Sequence, residues 1–239
     1  MQSIIAIIPC FNEAARIDCF AFLKFATEQN RVILYFINDG STDDTGEVLK
    51  RLYQQSNGKI LYYQLESNVG KGEAIRQGIL LALEHQPDFI GYLDADLSTP
   101  LSEFKRLVDL GIQKEADVVF GSRIKTANTN IKRSVLRHYI GRFIATIIDT
   151  HFRFGIYDTQ CGAKVFKVTS LLQVMQQPFL TSWFFDVEVF CRLRNMKKLN
   201  WHEEPLLIWD NKSQSKLNIF SFPLVCKELF RLIFKNQHA

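Results

Sequence analysis

Two aspartates spaced by one residue, Asp94-Ala95-Asp96, follow the apolar run Phe89–Leu93. Carboxylates two positions apart at a strand end can aim oxygens at one divalent cation, and hard oxygen donors suit Mg²⁺ or Mn²⁺. Mg²⁺ keeps several waters and draws further ligands from a diphosphate. A solvated acidic turn would read the same in isolation, so the neighbouring motifs decide. Pro9-Cys10-Phe11-Asn12-Glu13 follows the apolar run Ile4–Ile8, and Asn38-Asp39-Gly40-Ser41-Thr42-Asp43 follows Val32–Ile37. A carboxylate such as Asp39 at a strand end can accept from a nucleobase N–H. Gly40 permits a tight turn there, and Ser41 or Thr42 suits a helix cap. Asn68-Val69-Gly70-Lys71-Gly72 opens a helix, and a helix N-terminus carrying a lysine attracts phosphate. The segment has neither the spacing of a P-loop nor the place of a Rossmann glycine fingerprint.

The elements that must carry these groups are legible as periodicity. Ile4–Ile8, Val32–Ile37, Ile60–Gln64, Phe89–Leu93 and Asp117–Gly121 read as strands. Ala14–Gln29, Thr42–Gln54, Lys71–His85 and Leu101–Lys114 read as helices between them. Such alternation implies an α/β fold, a mostly parallel central sheet with helices on both faces. Ligands of these sheets sit at the carboxyl ends of the strands, where Asn12, Glu13, Asp39, Asn68, Asp94, Asp96 and Arg123 all fall. Later in the chain, Ser134–Phe152 is helical by pattern, with an apolar stripe of Val135, Leu136, Tyr139, Ile140, Phe143, Ile144, Ile147 and Ile148. Phe222–Phe234 repeats the style. The 239 residues suffice for one domain, expected over 1–220, with 221–239 a C-terminal amphipathic helical extension.

A net charge of +4, with no basic cluster beside a readout motif, suits a phosphate-bearing ligand and argues against nucleic acid. Five scattered cysteines without a Cys-x-x-Cys pair point to reduced thiols and no zinc site. No signal peptide and no uncharged run of about 20 residues is expected. The expectation is a cytoplasmic protein, with peripheral contact at the cytoplasmic face of a membrane open.

In their order and spacing, the four motifs resemble the family-2 glycosyltransferases of the GT-A fold, over roughly residues 3–220. The likeness extends to dolichyl-phosphate glucosyltransferases and bacterial polyprenyl-phosphate relatives. It is carried further by Leu93-Asp94-Ala95-Asp96-Leu97-Ser98-Thr99-Pro100, Gly121-Ser122-Arg123, Asp158-Thr159-Gln160-Cys161-Gly162-Ala163-Lys164-Val165-Phe166 and Trp183-Phe184-Phe185-Asp186-Val187-Glu188. Relatives typically have Gly-Phe-Lys where this chain has Gly162-Ala163-Lys164. The resemblance implies that Pro9, Asn12, Glu13 and Asp39 hold the nucleoside and Lys71 lies near the base or donor phosphates. It implies that Asp94 and Asp96 bind the diphosphate through the metal. Arg123 and Arg133 would meet the acceptor phosphate or the donor, and Asp158, Gln160 and Lys164 would shape the sugar and acceptor pocket. Asp186 falls where relatives with sugar acceptors place a catalytic base.

The implied reaction is inverting transfer of a hexose, glucose by likeness, from a nucleoside-diphosphate donor, UDP by likeness, to a polyprenyl or dolichyl phosphate. A phosphate monoester has a second pKa of about 6 and is already ionised at neutral pH. A sugar hydroxyl acceptor would instead require a base, with Asp186 or Glu188 as candidates. A single-transfer enzyme with a glycan hydroxyl acceptor, or a non-catalytic nucleotide-sugar binding module, is the alternative. Gln-x-x-Arg-Trp of processive synthases is absent. A nucleotidyltransferase would need a Gly-rich loop with arginine after the first strand. Trp201 and Trp209 flank Glu203-Glu204-Pro205-Leu206, like the family's final core strand. Lys212 and Lys216 fall in a polar loop beyond it, near Ser215-Lys216-Leu217.

Overall fold

The computed structural model describes residues 2–132, 135–196, 199–210 and 222–235. Five strands alternate with four helices in the first half: β1 (Ile4–Cys10), α1 (Cys19–Glu28), β2 (Val32–Asn38), α2 (Thr45–Gln55), β3 (Ile60–Gln64), α3 (Lys71–Ala82), β4 (Phe89–Tyr92), α4 (Leu101–Gln113) and β5 (Val118–Ser122). The second half adds β6 (Asn130–Lys132), α5 (Val135–Phe152), β7 (Lys164–Lys167), α6 (Val168–Val174), α7 (Phe185–Arg194), β8 (Trp201–Pro205), β9 (Ile208–Asp210) and α8 (Phe222–Lys235).

Seven strands form one sheet in the order β3-β2-β1-β4-β7-β5-β8. All pairings are parallel except those of β7, which runs antiparallel between β4 and β5. Alternation along β1 shows how both faces are buried. Ile4, Ala6 and Ile8 enter one core with α1, α2 and α4, and Ile5 and Ile7 enter another with α3, α6 and α7. Burying each large apolar side chain stabilises the fold by roughly 1.5–3 kcal/mol. On the second face a Cβ at Gly78 would lie 2.6 Å from Ile37 Cγ1 and 2.8 Å from Ile7 Cγ2. α3 therefore rides close on the sheet, with Lys71 at its first turn.

Two helices begin later than their patterns predict, for a tertiary reason. α1 starts at Cys19 rather than Ala14, where Asp18 accepts from the Ala21 N–H as a cap. α2 starts at Thr45 rather than Thr42. Ser41 and Thr42 do not cap it: Ser41 Oγ accepts from Asn12 N–H at 2.9 Å, and Thr42 N–H donates to Asn12 Oδ1 at 2.9 Å. The loops after β1 and β2 are thereby stitched together.

α5 divides its stripe. Ile148 is buried and Ile144 packs on the second core, while Tyr139, Ile140 and Phe143 stay exposed. α8 packs through Leu229, Leu232 and Ile233, and leaves Phe230 and Phe234 stacked on each other in solvent at 4.3 Å. Among the described residues, no helix is long and apolar enough to cross a membrane, and Cys10, Cys19, Cys161 and Cys191 form no disulfide. Arg133, Ser134, Lys212 and Ser215-Lys216-Leu217 lie outside the described residues.

Candidate active site

The motif residues converge at the carboxyl edge of the sheet. Pro9 sits within β1, opposite Ile37. Beyond it the chain turns at Asn12, whose φ of +52° is tolerable for asparagine, and Glu13 N–H donates to Thr45 Oγ1 at 2.8 Å. Asp39 is buried, and its carboxylate accepts from Val69 N–H (2.7 Å), Gly70 N–H (3.0 Å) and Asn68 Nδ2 (3.0 Å). Burial lifts its pKa above the usual aspartate value, although the Val69 and Gly70 bonds pull the other way. Asp39 thus orders the loop that delivers Lys71, and its oxygens retain lone pairs for a further N–H.

Asp94 and Asp96 follow β4. The turn is closed by Leu97, a buried γ-branched residue at φ +52°, and by Ser98 N–H donating to Asp96 Oδ1 at 2.9 Å. Lys71 Nζ lies 2.5 Å from Asp94 Oδ1, and Arg16 lies 3.1 Å from Asp96 Oδ2 while also pairing with Glu13. Burial pulls the Lys71 ammonium down, but Asp94, then Asp186 and Asp96, outweigh it and hold its pKa above the ordinary lysine value.

Behind them, Arg123 grips Asp158 with Nε–Oδ2 at 2.6 Å and Nη2–Oδ1 at 2.8 Å, and its own N–H adds a third bond. Glu203 of β8 holds the Tyr157 and Asp158 N–H groups, each at 2.9 Å. Gln160 donates to Asp158 through its backbone and to Trp183 O through Nε2. Burial alone would lift the Asp158 pKa, but Arg123 holds it from 3.8 down to about 2. A depressed folded-state pKa stabilises above the unfolded value and loses that contribution as pH falls through the folded one. At ~1.4 kcal/mol per unit, Asp158 contributes about 2 kcal/mol, present above 3.8 and lost on descent to about 2. Urea midpoints between about pH 5 and about pH 2 should therefore fall less steeply in Asp158→Asn than in the unsubstituted chain.

Lys164 departs from its expected place at the acceptor. It is fully buried, and its Nζ donates to Asp186 Oδ1 at 2.5 Å and to Cys161 O at 2.6 Å. Tyr92, two residues before Asp94, donates to the same Asp186 oxygen at 2.6 Å. Burial, reinforced by Asp186, pushes the Tyr92 phenol well above its ordinary pKa. Lys164 is thus held between Asp186 and the Cys161 carbonyl, and Asp186 is likewise buried and engaged. Glu188 is committed too, accepting from Leu180 N–H, Thr181 N–H and Thr181 Oγ1.

Asp94, Asp96, Asp158 and Asp186 are thus each paired with one cation. Only Lys71–Asp94, with side chains 42% and 36% exposed, and Arg16–Asp96, at 31% and 16%, open appreciably to solvent. Exposed pairs are worth about 0–1 kcal/mol, so a divalent ion can displace these two cations at little cost. Among the described residues no group of three or more metal-ligating side chains gathers. Two hard carboxylates would leave the remaining positions to water and donor phosphate oxygens, as Mg²⁺ or Mn²⁺ prefers. The loop before β7 leaves room for the carboxylate. A Cβ at Gly162 would fall 2.2 Å from Asp94 Oδ2. Gly162→Ala should displace Asp94 and lower turnover by roughly 10²-fold with little change in melting temperature, as steady-state rates and thermal denaturation would show.

Sequence reasoning expected Asn12, Glu13, Asp39, Asn68, Asp94, Asp96 and Arg123 at the carboxyl ends of the strands, and each lies at or just beyond a strand end of the sheet or on the loop that follows it. It missed Arg16, for which no sequence signal exists, and Tyr92, whose two-residue offset from Asp94 along the strand was a readable one.

The architecture superposes on glucosyl-3-phosphoglycerate synthase from Mycobacterium tuberculosis, crystallised with Mn²⁺, UDP and phosphoglyceric acid. The TM-score is 0.73 at 13% identity, covering 100% of this chain and 79% of that one. This likeness defines the class of fold as GT-A, with the paired aspartates at the sheet's carboxyl edge. The family model for glycosyl transferase family 2 matches residues 5–174, and the chain belongs to that family. It is similar to the dolichyl-phosphate beta-glucosyltransferase of Dictyostelium discoideum, 31% identical over 96% of this chain and 73% of that protein. The Saccharomyces cerevisiae enzyme of the same name is 30% identical over 88% and 68%.

Proposed function

We propose that the protein transfers glucose, with inversion, from UDP-glucose to the phosphate of a dolichyl or other polyprenyl phosphate. The observation that carries this reading is the state of the candidate bases. Asp186 and Glu188 are buried and already engaged, which suits an acceptor that arrives ionised and needs no base. The names of the similar curated proteins support the same sugar and acceptor.

Pro9 at the end of β1 and the loops carrying Asn12, Glu13 and Asp39 hold the nucleoside. Lys71, displaced from Asp94, pairs with the diphosphate. Asp94 and Asp96 would hold Mg²⁺ or Mn²⁺, which when bound neutralises charge on the leaving diphosphate. Arg123, fixed by Asp158, presents a cation to the acceptor side, with Gln160 beside it and Arg133 assigned there by resemblance. Asp186, clamped by Lys164 and Tyr92, sets the electrostatics beneath Lys71. Exposed Tyr139, Ile140 and Phe143 on α5, with Phe230 and Phe234 on α8, support peripheral contact with the membrane that holds the acceptor. We assign that contact to the cytoplasmic face, and residues 221–239 to a C-terminal extension of the catalytic domain.

The test is incubation with Mn²⁺, labelled UDP-glucose or GDP-mannose, and a polyprenyl phosphate, followed by organic extraction. Metal-dependent label from UDP-glucose in the organic phase supports the reading. Label transferred only to a glycan would replace the acceptor.

A further inference from the structure

The turn that leads into α7, residues 180–183, belongs to no helix or strand, yet each of its four consecutive backbone N–H groups is held by a side-chain carboxylate. Glu188, inside α7, accepts from Leu180 N–H at 2.8 Å and from Thr181 N–H at 2.7 Å. The other two N–H groups go to a different element. Glu228 of α8 accepts from Ser182 N–H at 3.3 Å with Oε1 and from Trp183 N–H at 2.8 Å with Oε2. These partners lie 46 and 45 residues apart in the chain. Leu229, Leu232 and Ile233 seat α8 on the second core, so the Glu228 carboxylate is delivered from a packed helix.

The turn stands behind both sides of the candidate site. A Cβ at Gly70 would lie 2.7 Å from Ser182 Oγ, and one at Gly72 would lie 2.6 Å from Phe185 Cβ. The loop that delivers Lys71 therefore rests directly on Ser182 and Phe185. Gly70, at φ +89°, also donates its N–H to Asp39. On the other side, the Trp183 carbonyl accepts from Gln160 Nε2 at 3.3 Å. Ser182 and Trp183, the two residues Glu228 fixes, are thus the ones that abut Gly70 and Gln160.

We infer that Glu228 is a positioning residue through which α8 sets the Gly70–Lys71 loop and Gln160. The inference rests on the roles proposed above for Lys71 and Gln160. It makes α8 a working part of the site, because a displacement of Glu228 releases two N–H groups and loosens the support of both sides at once.

Glu228→Ala removes both acceptors, Glu228→Asp withdraws them by one methylene, and Glu228→Gln keeps one oxygen that can accept. Transfer of glucose from UDP-glucose to a polyprenyl phosphate with Mn²⁺ is measured for each full-length variant. The stoichiometry of UDP binding by calorimetry counts the folded sites. Glu228→Ala and Glu228→Asp should lower kcat per site by roughly ten- to a hundredfold, the scale of a small misplacement of reacting groups, and Glu228→Gln should recover part. Hydrogen exchange is the second readout. In Glu228→Ala, exchange should quicken at Ser182 and Trp183 and also at Val69 and Gly70, whose N–H groups bond Asp39. A purely structural bond would lower the number of folded sites and leave kcat per site unchanged. Unchanged kcat per site in Glu228→Ala, or exchange that quickens only within 180–184, would overturn the inference. Should Glu228→Ala yield no folded protein, Glu228→Gln decides: kcat per site below that of the unsubstituted chain supports the inference, and an equal value overturns it. If the unsubstituted chain transfers no glucose to lipid, the function reading fails, and exchange at Val69 and Gly70 still decides whether Glu228 positions the loop.

Discussion

Asp96→Ala should reduce glucosyl transfer by roughly 10²–10³-fold, the usual cost of removing one preorganised group that stabilises developing charge. The fold should tolerate the change. Arg16, which loses Asp96, still pairs with Glu13 at 3.2 Å, and among the described residues the only other bond lost is the one from Ser98 N–H. The expected pattern is therefore a melting temperature close to that of the unsubstituted chain, a weakened Mn²⁺ response and near-absent turnover. Initial rates across a Mn²⁺ titration, beside thermal denaturation, would check it. Turnover within tenfold of the unsubstituted chain would show that Asp96 is not a metal ligand, and that Arg16 is its functional partner instead.

Asp186→Asn should behave in the opposite way, losing stability first. The substitution leaves the fully buried Lys164 ammonium with the Cys161 carbonyl and a neutral amide. Breaking a buried pair from one side costs about 3–5 kcal/mol. For a chain of this size that is a fall of roughly 6–20 °C in melting temperature. Adding Lys164→Met removes the stranded charge, so the double variant should recover part of the loss. The cycle of four proteins isolates the coupling. If the double variant is no more stable than Asp186→Asn, the pair contributes through packing rather than charge.

The sheet was legible because its first five strands are apolar runs, each ending in a polar loop. Ile60–Gln64 matches β3 in full, and the others differ by a residue or two at their ends. What escaped had physical reasons. β7 is only four residues, and two of them are lysines, so neither run length nor alternation marks it. α7 is buried nearly all round, Asp186 and Glu188 included, and a helix without a solvent face has no amphipathic signature. The early starts predicted for α1 and α2 failed because Asn12, Ser41, Thr42 and Thr45 serve contacts between loops 29 to 32 residues apart. No local propensity encodes such contacts. At the site, motif spacing found the exposed carboxylates, but it could not tell that Lys164 turns inward. A lysine is assumed to reach solvent unless its partner is known, and that partner, Asp186, lies 22 residues away.

The antiparallel strand has a consequence for how the chain is made. β4 and β5 are not neighbours in the finished sheet; β7 lies between them. On the ribosome, both flanks of that slot emerge before their filler, since residues 123–163 must be synthesised between β5 and β7. At ~5–20 residues per second this leaves two unpaired strand edges waiting for roughly 2–8 s. During that interval the nascent half-sheet can accept a foreign strand as readily as its own. Expression at lower temperature, or with holdase chaperones in excess, should raise the yield of folded chain.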